Sequence, residues 1–491
     1  TPSNSSAASD VYKRQEIIPM EKKGALGRIK STFIGDRAFY QSVVKLLIPI
    51  VIQQGITSFV NLLDNVMVGA LSTAAISGVA IVNQLIFVFN LSIFGSLSGP
   101  SIYSAQYAGV GDDEGVKHCF RFKMIIGTLI SVAAVLVFAL FGENLIWLYL
   151  NEEVNTAETL AATLEQAKDY MYVMLWGLPP FMLSQAYGTT LRETGETVVP
   201  MQASIISIVT NCVLNYALIY GKFGAPAMGV KGAAIATVVA RYLEIAYILI
   251  HTYRRLDKYH YFRGALRNLK IPKELVKKIA VTGAPLLANE FLWSTAMAVK
   301  NQCFSYRGLD VVAATNITST VWQVFAIIMF AMGSAIAIMV GQQLGTGDIE
   351  EARRTDARLI FVSFVVHVLI GILVVALSDV IPLIYNVEQN VREMTGGMLV
   401  AAGCTLWIHA LAHSSYFTIR SGGRTFITLL LDSVFTLAVV VPIAYVLCYW
   451  TDMDVSWVYA CVEAADIIKF LIALPILISG SWARNVINTG K

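Results

Sequence analysis

The sequence predicts an all-α polytopic membrane protein whose twelve transmembrane helices form two six-helix lobes related by a pseudo-two-fold axis along the membrane normal. Three observations predict it. Of the 491 residues, 56% are hydrophobic and only 14% charged, with a mean hydropathy of +0.63, too little charge to cover a soluble surface of this size. Apolar runs long enough to cross a bilayer, about 20 residues each, recur between residues 40 and 479. The chain also repeats itself: QYAGVGD at residues 106–112 returns as QQLGTGD at 342–348, an offset of 236 that also maps Pro49 onto Pro285, Phe89 onto Phe325 and Tyr149 onto Tyr385. RETGET at 192–197 pairs with RSGGRT at 420–425 at an offset of 228, so the second copy is shorter in one loop. An even number of helices per copy returns the chain to its starting side, so both copies insert the same way up.

Residues 1–39 form a polar tail. Residues 1–19 lack the apolar core of a signal peptide and are expected to be non-native, with Met20 and the following EKKGALGRIK resembling a cytoplasmic start. The twelve spans fall near residues 40–68, 75–107, 119–141, 168–191, 197–220, 228–252, 273–304, 310–344, 357–378, 394–419, 425–449 and 456–479. They divide into a first lobe at 40–253, a basic cytoplasmic linker at 254–272, a second lobe at 273–480 and a cytoplasmic tail at 481–491. With the N-terminus inside, the inner segments and span ends from Met20 onward carry 25 Lys and Arg and the outer ones 5, the bias of a multi-pass inner or plasma membrane protein with both termini cytoplasmic. Nine of the 25 lie in residues 254–278.

Several function classes are excluded. A net charge of +3 implies no nucleic-acid partner, and six scattered cysteines show no CxxC or zinc spacing. The Gly-containing repeats lack the Lys and flanking strand of a phosphate loop, so tight turns between helices are expected there. No cluster of His, Asp or Glu has the spacing of an enzyme, and no short pore loop marks a channel. His409 and His413 share a helix face without further ligands and read as polar lining.

The repeated QxxGxGD, Pro49 fifteen residues before the DNVMVG that starts at Asp64, LRETGETVVP, NCVLNYALIYG and GVKGAAIAT stand in an order that resembles the multidrug and toxic compound extrusion (MATE) family, over about residues 40–480. The resemblance implies a secondary active antiporter that exports organic cations and amphipathic drugs or metabolites in exchange for Na+ or H+. It implies no cofactor, only the coupling ion, and a monomer whose partners are substrate and lipid. The alternative is a lipid-linked oligosaccharide flippase of related fold, which would want a cationic cleft. By the same resemblance Asp64 is the cation-coupling carboxylate, Pro49 lets its helix bend, and Asn211 and Thr237 belong to the site. Asn215 stands where the family often has Asp, a departure that lowers the site's charge. Na+ at Asp64, Asn211 and Asn215 is the only metal implied.

An acid inside a bilayer costs about 3 kcal/mol at a helix centre, so each is a functional candidate. Asp64 has Asn61 and Asn65 beside it, and Asn211 and Asn215, one turn apart, present one face to it. Glu290 is the second lobe's isolated acid, five residues after Pro285 where the family often has eight, and joins the coupling candidates, with Asp432 the runner-up. Arg241 with Glu244, and Asp466 with Lys469, have the i, i+3 spacing of structural pairs. Lys45, Arg241, Lys300 and Lys469 are the expected buried cations. Lys300, at the repeat position of Asp64, lies near the outer end of its helix, where it can snorkel.

Overall fold

Proline, glycine and aspartate set the breaks and ends of the helices. The computed structural model describes residues 32–150, 156–385 and 387–487, so the polar tail up to residue 31, with its expected non-native part, lies outside them. The first half contains α1 (Arg37–Gly69), α2 (Thr73–Gly109), α3 (Asp113–Trp147), α4 (Ala157–Met174), α5 (Leu178–Glu193), α6 (Val198–Tyr220) and α7 (Gly229–Arg254). The second contains α8 (Lys273–Ser305), α9 (Leu309–Thr346), α10 (Ile349–Ala376), α11 (Gln389–Ser421), α12 (Thr425–Leu429), α13 (Val441–Trp450), α14 (Val455–Ala464) and α15 (Asp466–Ser479).

The expected fourth span is α4 and α5 together. It begins at Ala157 rather than 168, and a 3-10 turn at Leu175–Gly177 breaks it where Pro179 and Pro180 restart the helix. The eleventh runs through two π-helical stretches, Leu430–Val434 and Thr436–Val440, ahead of Pro442 at the start of α13. A proline cannot donate to the preceding turn and its ring crowds the carbonyl four residues back, which favours a widened turn. Among the described residues, nine stretches are long and apolar enough to cross a membrane. The expected fourth span misses because α4 carries Glu158, Glu165, Lys168 and Asp169 and α5 is short, the twelfth because it is broken into two short helices, and α8 because it carries Glu290, Lys300 and a charged first turn.

The largest apolar core runs from Met67 to Ala265, within the first half and the segment that follows α7. A second joins residues between Cys303 and Ala465, and a third joins Val43 of α1 to residues between Met332 and Trp482. The halves meet where α2 packs on α8 and α9, and α1 on α9. Small residues allow this: a Cβ on Gly99 of α2 would stand 2.7 Å from the Gly283 Cα of α8. Beside that contact Tyr103 Oη and Thr282 Oγ1 are 3.0 Å apart. One end of the bundle carries residues 255–272, and we call it the basic end.

The second half holds a chain of charges. Lys300 Nζ lies 2.9 Å from Glu463 Oε1, and His409 places Nε2 3.1 Å from Glu463 Oε2 and Nδ1 3.0 Å from Asp466 Oδ2. Lys469 Nζ then joins Asp466, at 3.2 Å, to Asp432, at 3.4 Å. Lys300 therefore does not snorkel: Glu463, distant in sequence, draws it inward. His409 sits in this chain rather than in a polar lining, and His413 packs against the rings of Phe330 and Phe417. Arg241 and Glu244 do not pair. Arg241 donates to the Gly177 carbonyl at 3.2 Å, and Glu244 accepts from Ser204 Oγ at 3.1 Å, because i, i+3 proximity loses to partners on neighbouring helices. Lys45 is exposed, while Lys123, Arg121 and Arg420 are buried cations that the sequence did not single out.

Breaking a buried ion pair leaves its partner uncompensated, which costs about 3 kcal/mol, whereas replacing both members by apolar residues is often neutral. Glu463→Ala should therefore lower the thermal unfolding midpoint in detergent, and Lys300→Met with Glu463→Met should recover most of the loss. An unchanged midpoint for Glu463→Ala would show that the chain of charges does not hold this half together.

Candidate functional site

Three helices bring the predicted polar residues together. Asp64 lies on α1, Asn211 and Asn215 on α6, and Thr237 on α7, with α6 packed on both neighbours. Asn215 Nδ2 donates to Asp64 Oδ1 at 2.5 Å and to Asn211 Oδ1 at 3.0 Å, and Asn211 Nδ2 donates to Thr237 Oγ1 at 3.1 Å. Asn215 is fully buried and Asn211 nearly so. Asn215 Oδ1 has no hydrogen-bond partner among the described residues. A buried acceptor without a donor is unfavourable. A hard cation, or a proton shared with Asp64, would satisfy it, since the cluster is built of oxygens and amides and contains no sulfur or imidazole. The side chains of Asn61 and Asn65 lie outside the described residues. Tyr220 Oη donates to the Met67 carbonyl at 2.9 Å and pins α6 to the end of α1.

Pro49 lies inside α1, which is helical from Arg37 to Gly69. One turn on, Gln53 bridges to neighbouring helices: its Nε2 donates to Ser204 Oγ at 2.9 Å, and its Oε1 accepts from Arg192 Nη1 at 3.2 Å. Ser204 passes its own hydrogen to Glu244. The helix that carries Asp64 thus also holds Arg192 of α5. Glu290 does not join Asp64. It lies on α8 against α2, where a Cβ on Gly95 would meet its Cγ at 3.2 Å. Its neighbour Asn289 donates to Asp432 Oδ2 at 3.0 Å and accepts from Ser433 Oγ at 2.7 Å.

A cavity of about 360 Å³ lies between the halves, lined from α2, α5, α9 and α11 by residues that include Phe94, Phe181, Arg192, Phe417 and Arg420. The repeated motif closes it at the basic end. The second glycine of each copy, Gly111 at φ +70° and Gly347 at φ +86°, makes the expected turn. Asp112 and Asp348 then cap the next helix by accepting from the backbone of Gly115 at 2.9 Å and Glu351 at 3.0 Å. The first glycine and the glutamine do something else. A Cβ on Gly109 would stand 2.0 Å from the Gln342 carbonyl oxygen, and one on Gly345 2.0 Å from that of Gln106. Gln342 Nε2 donates to the Glu193 carbonyl at 2.7 Å, and Gln106 Nε2 to the Ser421 carbonyl at 3.2 Å and that of Arg484 at 3.1 Å. Gln106 Oε1 accepts from the Val486 backbone at 2.8 Å. Each copy therefore seals against the other half. The signal was the glutamine kept in both copies, which a turn does not need.

The MatE family profile matches residues 49–217 and 285–450, two blocks that begin at the repeat-related Pro49 and Pro285. The chain belongs to the MatE family. As a MatE protein it is a polytopic membrane protein. It is similar to "Probable multidrug resistance protein YoeA" of Bacillus subtilis (strain 168), 25% identical over 439 residues that cover 88% of this chain and 92% of that one. It is also 23% identical over 450 residues to "Probable multidrug resistance protein NorM" of Thermotoga maritima, covering 91% and 94%. Among solved structures, an outward-facing conformation of a multidrug resistance MATE family transporter superposes with a TM-score of 0.81 at 19% identity, over 94% of this chain and all of that one. A single-site mutant of the Vibrio cholerae MATE transporter VcmN gives 0.80 at 15%, over 93% and 99%. These MATE structures share the all-helical fold.

Because the seal rests on backbone contact, Gly109→Ala should push the halves apart at the basic end. On a cysteine-free background, a cysteine at Ser101 in the cavity wall should then react faster with an impermeant thiol reagent applied to the basic face. An unchanged rate would show that the cavity is closed by something else.

Proposed function

We propose that this MatE chain is a secondary active antiporter that exports amphipathic drugs and organic cations in exchange for Na+ or H+ by alternating access. The observation that carries the reading is the Asp64 cluster on α1, with its orphaned Asn215 acceptor, on the same helix as the Gln53 that holds Arg192 at the cavity wall. Homologues named as multidrug resistance proteins support drug export as the general activity. The proposed architecture is two six-helix lobes at 40–253 and 273–480 joined by the cytoplasmic linker 254–272. It is supported by the separate apolar cores and by the twelve places where one helix, or a broken pair, lies between turns.

In this mechanism Asp64 alternately holds and releases a cation. Burial disfavours its charged form, and an entering Na+ or proton relieves that penalty. Asn215, Asn211 and Thr237 offer oxygens to the ion but no charge. An ion can shift a conformational equilibrium only by its differential affinity for the two states. Here the difference lies in how closely α1 approaches α6, because Asp64 and the amides belong to different helices. A proline removes one backbone hydrogen bond, so α1 has a place to bend at Pro49, one turn from Gln53. Bending there moves Gln53 relative to Arg192 and Ser204, and so alters the cavity wall.

Asp64→Asn keeps the size and removes charge and titration. It should abolish gradient-driven efflux of a fluorescent cationic drug from vesicles, with Na+ and H+ gradients imposed separately, while drug binding in detergent survives. Wild-type transport by Asp64→Asn would place coupling elsewhere, with Glu290 the next acid to test.

The orientation is proposed from charge: the basic end faces the cytoplasm of a cell-membrane protein. A single cysteine at Leu266, which is exposed, should be labelled by an impermeant reagent in inside-out vesicles and not in intact cells. Labelling in intact cells would invert the topology.

A further inference from the structure

The segment that follows the last helix crosses from one half to the other at the seal. α15 ends at Ser479, and Gly480 at φ +66° turns the chain. Trp482 then anchors it: only 1% exposed, it belongs to the apolar core that contains Met332, Leu359 and Ile419. Its carbonyl passes so close to Gly422 that a Cβ there would overlap the oxygen. Beyond this anchor the chain reaches the first half. The Arg484 carbonyl accepts from Gln106 Nε2 at 3.1 Å, and the Val486 N–H donates to Gln106 Oε1 at 2.8 Å. Asn485 Nδ2 donates at 2.9 Å to the carbonyl of Gly345, the residue whose missing side chain admits Gln106. Val486 and Ile487 pack on a small apolar cluster of Tyr103 from α2, Cys119 from α3 and Leu275 and Ile279 from α8.

The internal repeat marks these contacts as an addition to the seal. Glu193 and Ser421 are equivalent at the offset of 228, and each gives its carbonyl to the motif glutamine of the other half. Among the described residues, Gln106 makes two further bonds to the segment after α15, whereas Gln342 makes none to the segment after α7. Residues 259–265 instead stay with their own half. They return to the turn at Thr194, the repeat equivalent of Gly422, where Thr194 Oγ1 and Tyr261 Oη are 2.9 Å apart. Arg121 Nε donates to the Ala265 carbonyl at 2.8 Å, and the Phe262 ring lies 4.9 Å from those of Phe120 and Tyr187. The two segments therefore begin alike, and the second alone goes on to span the junction.

Opening the cavity at the basic end requires α2 to leave α9. Gln106 of α2 cannot leave while it is bonded to a segment rooted in the second half at Trp482. Contacts made in one of two states and lost in the other favour the first. We propose that residues 480–487 are a clasp that holds the halves together at the basic end and sets how often the cavity opens there. Reciprocal opening at the opposite face rests on the alternating-access reading; the clasp's hold on the basic end does not.

The test uses the full-length chain on a cysteine-free background with Ser101→Cys in the cavity wall. An impermeant thiol reagent is applied to each face in turn. Two changes loosen the clasp at different places. Asn485→Ala with Val486→Pro removes two of its donors, and Gly422→Ala displaces Trp482 while leaving the segment's own residues intact. Each should speed labelling from the basic face about tenfold, the scale of one or two hydrogen bonds, and slow it from the opposite face. Unchanged labelling from the basic face in the double variant overturns the clasp, whatever Gly422→Ala does. Faster labelling from both faces also overturns it, in favour of a general loosening of the bundle. Faster labelling from the basic face with no change opposite keeps the clasp and overturns alternating access. A second measurement does not depend on those variants folding. Phe122→Cys and Ile487→Cys, at two residues that pack on the same cluster, are bridged by a reducible bifunctional reagent. In proteoliposomes the bridged protein should lose gradient-driven movement of a fluorescent cationic drug, and a reductant should restore it. Transport that persists in fully bridged protein overturns the clasp. Absence of transport before bridging overturns the antiporter reading, and the labelling rates then decide the clasp by themselves.

Discussion

The two halves touch backbone to backbone at the basic end, and much else follows from that contact. Gly109 lies against the Gln342 carbonyl and Gly345 against that of Gln106, with no room for a side chain at either place. Two helices can approach this closely only where a Cβ is missing. The approach brings the glutamine amides within reach of carbonyls at the ends of α5 and α11, so backbone groups orphaned at helix ends find donors. It also closes one end of the space between the halves. The cavity, the two arginines in it and the packing of α2 on α8 all presuppose that α2 and α9 cross at this point.

Given that closure, α1 is the element that touches both the Asp64 cluster and, through Gln53, Arg192 of the cavity wall. Asp64 faces α6 and α7, while Gln53, three turns earlier, ties α5 and α6 together through Arg192 and Ser204. Neither contact is apolar. Polar contacts in a low-dielectric interior are strong when satisfied and costly when lost, so a helix held by them tends towards discrete positions. Coupling between an ion and a drug needs an element of this kind, whose position both ligands bias.

The parts of this structure that depend on local composition were legible in the sequence. Hydropathy and the repeat located most of the helices to within a few residues, and the i, i+4 spacing of Asn211 and Asn215 put both on the face that meets Asp64. Resemblance to a family supplied Thr237, which spacing alone would not. What failed to show were partners set by tertiary packing. Lys300 read as an outer-end lysine because Glu463 is far away in the chain. Arg241 and Glu244 read as a pair because the Gly177 carbonyl and Ser204 were invisible. Arg192 and Arg420 were visible as a repeat, but nothing in the sequence says that both line one cavity. The glutamine shared by the two QxxGxGD copies was assigned to turns, since a single chain reading has no view of the other half.

The two halves share repeated motifs and yet treat charge in opposite ways. In the first half, the carboxylate of Asp64 is met by the neutral amide of Asn215, itself linked to Asn211 and Thr237, and no tethered cation pairs with it among the described residues. The repeat-equivalent position in the second half is Lys300, and there the chain supplies its own cation. The rest of that cluster follows suit: Glu463, Asp466 and Asp432 are answered by Lys300, His409 and Lys469, all tethered. A tethered ammonium occupies the space a free cation would need and cannot leave with it. The charge chain of the second half is therefore suited to holding helices together, while Glu290 makes no ion pair at contact distance among the described residues and is acted on at longer range by Arg420 and by Asp432 of the chain. Repeat-related positions thus carry opposite arrangements, a carboxylate met by a neutral amide on α1 and charges paired with one another in the second half.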